Sequence, residues 1–233
     1  KQHIITPKIK CNFNFIFLFI KFKISKIKQF FYNFEYIKYM KNKTINIFVG
    51  LFLVLLSNQI FAKEPGDKID DFTIVNFDNK TYTLSEVKDS RAIVIIFWSA
   101  ECPFVQGFND RINDIVKPYI EKGVTFWGIN SNQTETVNQV MEHYKNNNYI
   151  FPMLKDEGSK VADIFEATRT PEVFILDNNR TILYHGRLED NSRKEKVTTH
   201  DMTDALDEIL AGKEVTSKTT KSFGCTIKRN EKN

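Results

Sequence analysis

A run of seven apolar residues, followed closely by a cysteine and a proline, most constrains how this chain can fold. Residues 92–98 contain no polar side chain, and such a continuous run is typical of a central strand buried on both faces of a sheet. Residues 104–121 follow with apolar positions near helical spacing, and residues 124–129 form a second apolar strand. Because the order strand, helix, strand favours a parallel crossover, this segment predicts an α/β domain.

Further strands and helices extend this domain on both sides. Two pairs of short segments, each around a polar turn, predict β-hairpins: 72–75 with 81–84, and 172–176 with 181–184. Apolar residues at helical spacing predict helices at 135–144, around 161–165 and at 202–210. We therefore expect one domain over residues 63–212, with an N-terminal β-hairpin and a central mixed sheet flanked by helices. A polar tail, residues 213–233, follows and carries Cys225.

The first 62 residues differ in composition from the rest of the chain. They hold ten Lys and one acidic residue, Glu35, whereas the remainder has 23 basic and 28 acidic residues. Residues 40–62 have the positive start, apolar stretch and small final residue of a secretory signal peptide. We expect residues 1–39 to be upstream translation outside the natural product, and the body to be exported, periplasmic or secreted. The alternative is an uncleaved anchor in the inner membrane.

The charge and cysteine content of the body exclude several classes of protein. A mildly acidic balance argues against binding nucleic acid through a broad basic surface. Three cysteines are too few for a disulfide-rich scaffold, and their spacing fits no structural zinc site. Cys11 lies in the leader and receives no role. We expect no metal and no organic cofactor, since thiol chemistry requires neither.

Cys102 lies where the first buried strand ends and the next helix begins. Pro103 suits the first turn of that helix, and unpaired backbone N–H groups and the helix dipole stabilise a thiolate at such a position. The position therefore predicts a nucleophilic cysteine. The alternative is an inert cysteine that packs at the strand end.

Five motifs, in order along the chain, carry a resemblance to a known family: Cys102-Pro103-Phe104-Val105, Gly128-Ile129-Asn130-Ser131-Asn132, Thr170-Pro171-Glu172-Val173-Phe174, Tyr184-His185-Gly186-Arg187 and Gly224-Cys225-Thr226-Ile227-Lys228. Residues 65–228 resemble the thioredoxin-like redoxins of the alkyl hydroperoxide reductase/thiol-specific antioxidant (AhpC/TSA) family, in particular exported members with a single active-site cysteine. The resemblance implies a thioredoxin-like fold with Cys102 as the redox nucleophile and a cis Thr170–Pro171 bond facing it. It further implies substrate contacts from Trp98, Ser99, Pro103, Thr170 and Pro171.

The chain departs from the patterns of related redoxins at positions that decide the chemistry. Val105 stands where a thioredoxin-type dithiol has its second cysteine, so Cys102 cannot close a local disulfide. Ile95 stands where the peroxiredoxin signature has proline. The cation that activates a peroxide would come from Arg169 or Arg187, and each can equally be a solvated surface residue.

Cys225 is the candidate resolving cysteine for Cys102. It follows a glycine near a mobile tail, and a disulfide requires only that the two Cα atoms approach within about 7 Å. Resolution would occur within the chain or across a homodimer. The alternative is that Cys225 is a leftover thiol or packs under the turn at Phe223.

Other ionisable residues are assigned no chemistry. His185 is expected on an exposed strand face, and Glu189 with Asp190 in a solvated turn. Trp98 and Trp127 belong to strands and are expected to pack in the core.

The leading functional prediction is a thiol-dependent oxidoreductase of the peroxiredoxin-like type. Cys102 would attack a hydroperoxide or a protein disulfide, and an external thiol or a thioredoxin-like protein would supply the electrons. A second prediction is a thiol–disulfide exchange partner for envelope proteins. A third is a non-catalytic module whose groove beside Thr170-Pro171 binds an extended peptide.

Overall fold

A computed structural model describes residues 63–229, and the predictions for residues 1–39 and 40–62 lie outside this range. In chain order the strands are β1 (Thr73–Val75), β2 (Thr81–Thr83), β3 (Ala92–Phe97), β4 (Val124–Asn130), β5 (Met153–Lys155), β6 (Arg169–Thr170), β7 (Glu172–Leu176), β8 (Ile182–Gly186) and β9 (Cys225–Thr226). The α-helices are α1 (Pro103–Gln106), α2 (Ile112–Glu121), α3 (Val137–Asn146), α4 (Lys160–Phe165) and α5 (Asp201–Leu210). Over the described range, no helix combines the length and apolar character needed to cross a membrane.

Five strands form the central sheet, in the order β5-β4-β3-β7-β8. β3 pairs in parallel with β4, and β4 with β5. β7 runs antiparallel to both β3 and β8. β1 pairs with β2 as an antiparallel hairpin outside this sheet. The mixed sheet, its parallel crossover and both predicted hairpins are confirmed.

All six residues of β3 are buried, because both faces of the sheet are covered. Val94 and Ile96 pack in one apolar cluster with residues of α2 and α5. Ile95 and Phe97 face the opposite cluster, which contains residues of α4 and of the N-terminal hairpin. The uninterrupted apolar run of this strand thus has a partner layer on each side.

The prediction of one continuous helix over residues 104–121 is wrong, because the structure has two helices there, α1 and α2, with a break between them. At Gly107, just after α1, an added Cβ would lie 2.6 Å from the carbonyl oxygen of Ser192, so a loop from later in the chain packs against the break. Arg111, just before α2, turns inward and forms a buried ion pair with Glu189. The prediction of a solvated turn at Glu189 is therefore corrected.

The C-terminal segment packs against the domain through residue 229. The backbone N–H of His185 donates to Lys218 O (2.9 Å), and that of Ile227 donates to Thr168 O (2.9 Å). Ile227 is buried in the apolar cluster that contains Phe97. The expectation that this tail is mobile is therefore corrected, because main-chain hydrogen bonds and the buried side chain of Ile227 hold it in place. This packing brings Cys225 to the central sheet.

Candidate active site

Cys102 occupies the turn between β3 and α1, with Pro103 as the first residue of the helix. Its side chain is only 2% exposed. The Sγ atom donates to the carbonyl oxygen of Thr170 at 3.2 Å. The Thr170–Pro171 peptide bond is cis, as the resemblance implied. Thr170 is therefore brought directly against the predicted nucleophile.

Cys225 lies beside Cys102 on the other side of the same backbone segment. β9 pairs antiparallel with β6, and this register places Cys225 opposite Thr170. The two sulfur atoms are 2.6 Å apart, and both residues are free thiols. Burial, followed by the hydrogen bond and charge of Cys102, raises the pKa of the Cys225 thiol. The Cys225 thiol is thus held in its protonated form near neutral pH.

Gly224 permits the close approach of β9 to the cis peptide. Its φ of +141° lies in a region that residues with a Cβ rarely adopt. A Cβ at this position would lie 2.1 Å from Thr170 O and 3.3 Å from Pro171 Cδ. Only glycine can therefore precede Cys225 without moving the strand away from Thr170.

The turn that carries Cys102 is held by a buried carboxylate that sequence reasoning missed. The backbone N–H of Cys102 donates to Ser99 Oγ (3.1 Å), and Ser99 Oγ donates to Glu135. The backbone N–H of Ala100 donates to Glu135 Oε2 at 2.7 Å. Glu135 follows the Asn130-Ser131-Asn132 motif by three residues, so its position just past β4 was the available signal.

The two candidate cations are engaged away from the Cys102 sulfur. The guanidinium of Arg169 is exposed and donates to Gly224 O (3.2 Å). The guanidinium of Arg187 donates to Asp201, with Nε to Oδ2 at 2.9 Å. Among the described residues, the sulfur of Cys102 has hydrogen-bond partners only in Thr170 and Cys225. A peroxide-activating cation at Cys102 therefore remains a prediction.

The predicted substrate contacts divide into exposed and buried positions. Pro103 is exposed beside Cys102, whereas Ser99, Thr170 and Pro171 are buried. Trp98 is buried in the core, where its Nε1–H donates to the hydroxyl of Tyr149 at 3.1 Å. Contact between the Trp98 ring and a substrate stays a prediction, as it does for the other buried positions. The expectation that both tryptophans pack in the core is confirmed.

A second buried carboxylate lies next to the cis peptide. Glu172 Oε2 accepts hydrogen bonds from the backbone N–H groups of Thr168 (2.8 Å) and Arg169 (2.9 Å). Its Oε1 lies 2.7 Å from His185 Nε2, and the His185 ring stacks on Phe174 with a centroid separation of 4.2 Å. His185 is therefore not an exposed strand residue, and that prediction is corrected. Glu172, which His185 contacts, thus holds the backbone at the start of β6.

The arrangement can perform two-electron thiol chemistry without further groups. Two thiols lie in contact, one of them at the start of a helix and the other on β9, which pairs with β6. Within residues 63–229, no group of three or more His, Cys, Asp or Glu side chains could hold a metal ion. The mixed sheet, with Cys102 after its central strand and a cis proline facing the sulfur, is thioredoxin-like.

Two solved structures share this fold along most of the chain. A hypothetical protein from Sinorhizobium meliloti 1021 is 33% identical, with a TM-score of 0.67, and the match covers 75% of this chain and 98% of that one. An uncharacterised conserved protein from Geobacillus kaustophilus is 30% identical, with a TM-score of 0.68, covering 72% and 94% of the two chains.

Sequence comparison gives a more distant relative with a named activity and a match to a family. The thiol-disulfide oxidoreductase ResA of Bacillus cereus is 22% identical over 118 residues. The match covers 51% of this chain and 66% of that protein, just under two thirds of its length. The model of the AhpC/TSA family matches residues 65–185, just over half of the chain. This range includes both Cys102 and the cis proline. The chain therefore belongs to the AhpC/TSA family.

Proposed function

We propose that this protein is a thiol–disulfide oxidoreductase in which Cys102 is the nucleophile and Cys225 the resolving cysteine. One observation carries the proposal: the two sulfurs lie 2.6 Å apart beside the carbonyl of Thr170. We assign the first attack to Cys102 because it lies at the start of α1, where backbone N–H groups stabilise a thiolate, whereas burial raises the pKa of Cys225. The name of the Bacillus cereus relative supports the same class of reaction.

The reaction proceeds in two exchange steps. The Cys102 thiolate attacks one sulfur of a substrate disulfide, which forms a mixed disulfide and releases the other substrate sulfur as a thiolate. Cys225 then loses its proton and attacks Cys102 Sγ, which releases the second substrate thiol and leaves a Cys102–Cys225 disulfide. Two electrons have passed to the substrate. An external thiol or a thioredoxin-like donor returns them by the same exchange chemistry.

A protein disulfide is the substrate class that the site supports best. Phe104, next to Pro103, is 42% exposed, and its ring lies 5.8 Å from the ring of Phe223, which precedes Gly224. These two rings form an apolar rim beside the thiol pair, and apolar rims suit contact with a protein surface. The alternative, a non-catalytic peptide-binding module, does not explain why the two thiols lie in contact.

Hydroperoxide reduction is the second candidate, and membership of the AhpC/TSA family favours it. Cys102 would then take one oxygen and become a sulfenic acid while the peroxide leaves as an alcohol or water. Cys225 would displace water from the sulfenic acid and form the same disulfide. The engagement of Arg169 with Gly224 and of Arg187 with Asp201 makes this the weaker candidate.

The proposal includes export and a domain that begins near residue 63. Residues 40–62 have the composition of a signal peptide, and an oxidising compartment allows a disulfide couple to cycle. The short distance between the two sulfurs within one chain supports resolution in cis, although a homodimer stays a prediction. Determining the N-terminal residue of the protein from its native host tests export. A first residue upstream of Met40 would contradict the assignment of residues 1–39.

The function is tested by giving reduced protein one equivalent of either a disulfide-bonded protein or a hydroperoxide. Free thiols are then blocked, and the cysteines are mapped by mass spectrometry. We expect a Cys102–Cys225 disulfide with both oxidants, and faster formation with the protein disulfide. Cys225→Ser should trap the mixed disulfide on Cys102, and Cys102→Ser should not react. Faster reaction with the hydroperoxide would reverse the order of the two substrates, and no reaction with either would refute the proposal.

A further inference from the structure

The end of β4 and the loop that follows it contain three buried polar side chains, whose hydrogen bonds link the two cysteine-bearing segments. These side chains are Asn130, Asn132 and Glu135. A buried polar group must be hydrogen-bonded, since leaving it unpaired costs about 1–3 kcal/mol. The hydrogen-bond partners of these three side chains therefore show which segments of the chain they hold in place.

One arm of the network runs to Cys102. Glu135 accepts from Ser99 Oγ through Oε1 and from the backbone N–H of Ala100 through Oε2. Since Ser99 Oγ accepts in turn from the backbone N–H of Cys102, the carboxylate fixes the turn on which the nucleophile sits. Glu135 does not contact the sulfur.

The other arm runs to the strand of Cys225. Asn132 Nδ2 donates to Glu135 Oε1 (2.9 Å), and Asn132 Oδ1 accepts from the backbone N–H of Lys228 (2.8 Å). The backbone N–H of Gln133 donates to Lys228 O at 2.9 Å. Lys228 is three residues beyond Cys225, so this loop and β6 together set the position of β9.

A buried lysine balances the charge at the centre of the network. Asn130 Nδ2 donates to Glu135 Oε2 (2.6 Å), while Asn130 Oδ1 accepts from Lys155 Nζ (2.9 Å). Lys155 Nζ also donates to Asn132 O at 2.6 Å. A buried carboxylate with four hydrogen bonds and a nearby ammonium meets the conditions under which a charge is tolerated in a protein interior.

We propose that Glu135 and Asn132 are positioning residues that hold the Cys102 and Cys225 sulfurs in contact, one residue for each arm. This inference rests on the proposed role of the two cysteines as a redox pair. Its physical basis is effective concentration: two groups held in the reacting geometry combine much faster than the same groups on mobile segments. All four partners of the Glu135 carboxylate are donors.

Glu135→Gln changes this network with the least change in shape. An amide presents one acceptor oxygen and one donor nitrogen, so two of the four donors lose their acceptor and meet an N–H group instead. Asn132→Ala removes the side-chain hydrogen bond to the backbone N–H of Lys228 and one of the four donors to Glu135. Asp156→Asn is the matched control, because Asp156 is buried beside the same loop and accepts from Ser131 Oγ (2.7 Å) and from the N–H groups of Val161 and Ala162.

The experiment measures the equilibrium between each reduced protein and glutathione disulfide. One protein dithiol and one glutathione disulfide give one protein disulfide and two glutathione thiols, so atoms and electrons balance. We expect Glu135→Gln and Asn132→Ala each to lower this equilibrium constant about tenfold, the effect of one lost hydrogen bond on the positioning. Asp156→Asn should lower the urea midpoint of unfolding but leave the constant unchanged.

The outcomes separate this inference from the proposed function. If wild type forms the disulfide and both loop variants keep its equilibrium constant, the positioning roles are overturned while the redox pair stands. If Asp156→Asn lowers the constant equally, the effect is one of general stability, and the positioning roles are again overturned. If wild type forms no disulfide, both proposals fail together. Asn132→Ala keeps the test decisive should Glu135→Gln not fold.

Discussion

The sulfur atoms of Cys102 and Cys225 lie 2.6 Å apart, although 123 positions separate these residues in the sequence. A local dithiol places its two thiols together through the geometry of one helical turn. Here the second thiol arrives on β9, which pairs with the backbone of Thr170 next to the cis proline. The proposed redox pair therefore depends on tertiary structure, and the stability of the fold and the reactivity of the thiols should respond to each other.

Oxidation should stabilise the folded protein. A disulfide that closes a loop of this length restricts the unfolded chain, and the chain-entropy model gives up to about 5 kcal/mol for such a loop. The measurement is urea denaturation of the wild type with and without reductant. Cys225→Ser should unfold at the same urea concentration in both conditions. Equal midpoints for oxidised and reduced wild type would contradict the pairing.

Gly224→Ala should separate the two sulfurs. The new Cβ would collide with Thr170 O, so β9 must move away from β6. We expect disulfide closure to slow at least tenfold, with a stability loss of about 1–3 kcal/mol. Gly66→Ala is the control, because Gly66 also has a positive φ, +101°, but has open space around its Cβ position. If Gly66→Ala slows closure equally, the effect does not come from the contact with Thr170.

Alkylation of Cys225 should require alkaline pH. Since burial, together with Cys102, raises the pKa of Cys225 above its ordinary value of 9.0, little reactive thiolate is present near neutrality. Site-resolved iodoacetamide labelling of reduced protein should show a rate at Cys225 that is half-maximal near pH 11. In the unfolded chain the rate should be half-maximal near the ordinary pKa of 9.0. Half-maximal labelling of the folded protein at or below pH 9 would refute this assignment.

Mild acid should destabilise the fold through His143. Burial lowers the pKa of this imidazole below 6.5, although the charge of Glu135 opposes the shift. The unfolded chain therefore takes up the proton first as pH falls, and stability should decline below about pH 6.5 and be constant above it. His143→Gln should remove part of this decline. The measurement is the free energy of unfolding in urea between about pH 5 and 8.

Local patterns predicted the parts of the fold that depend on local forces. The burial of β3 on both faces and the two hairpins follow from residue type and turn chemistry within a few positions. The break before Arg111 was missed because it depends on Glu189 and Ser192, which are about 80 positions away. No periodicity within residues 104–121 carries that information.

The candidate site divides in the same way. Cys102 is recognisable from its own neighbours, since strand, cysteine and proline stand together. Glu135 is not, because its role comes from Ser99 and Ala100, which lie on a different strand end. Cys225 is a candidate from sequence because it follows Gly224 near the C-terminus and no other cysteine remains in the body. Its contact with Cys102 depends on backbone pairing, which carries no signature in side-chain type.

Because β9 pairs with β6 beside Cys102, this strand competes with any partner that binds at the same place. Cys102 is almost completely covered, and an incoming partner must take the place of a strand tethered to the same molecule. The apparent affinity for any such partner is reduced by the fraction of molecules in which that strand is released. Weakening the pairing of β9 with β6 should therefore make the protein bind its partners more tightly. It should also slow the release of a bound partner, because the strand that excludes the substrate also carries the cysteine that displaces it.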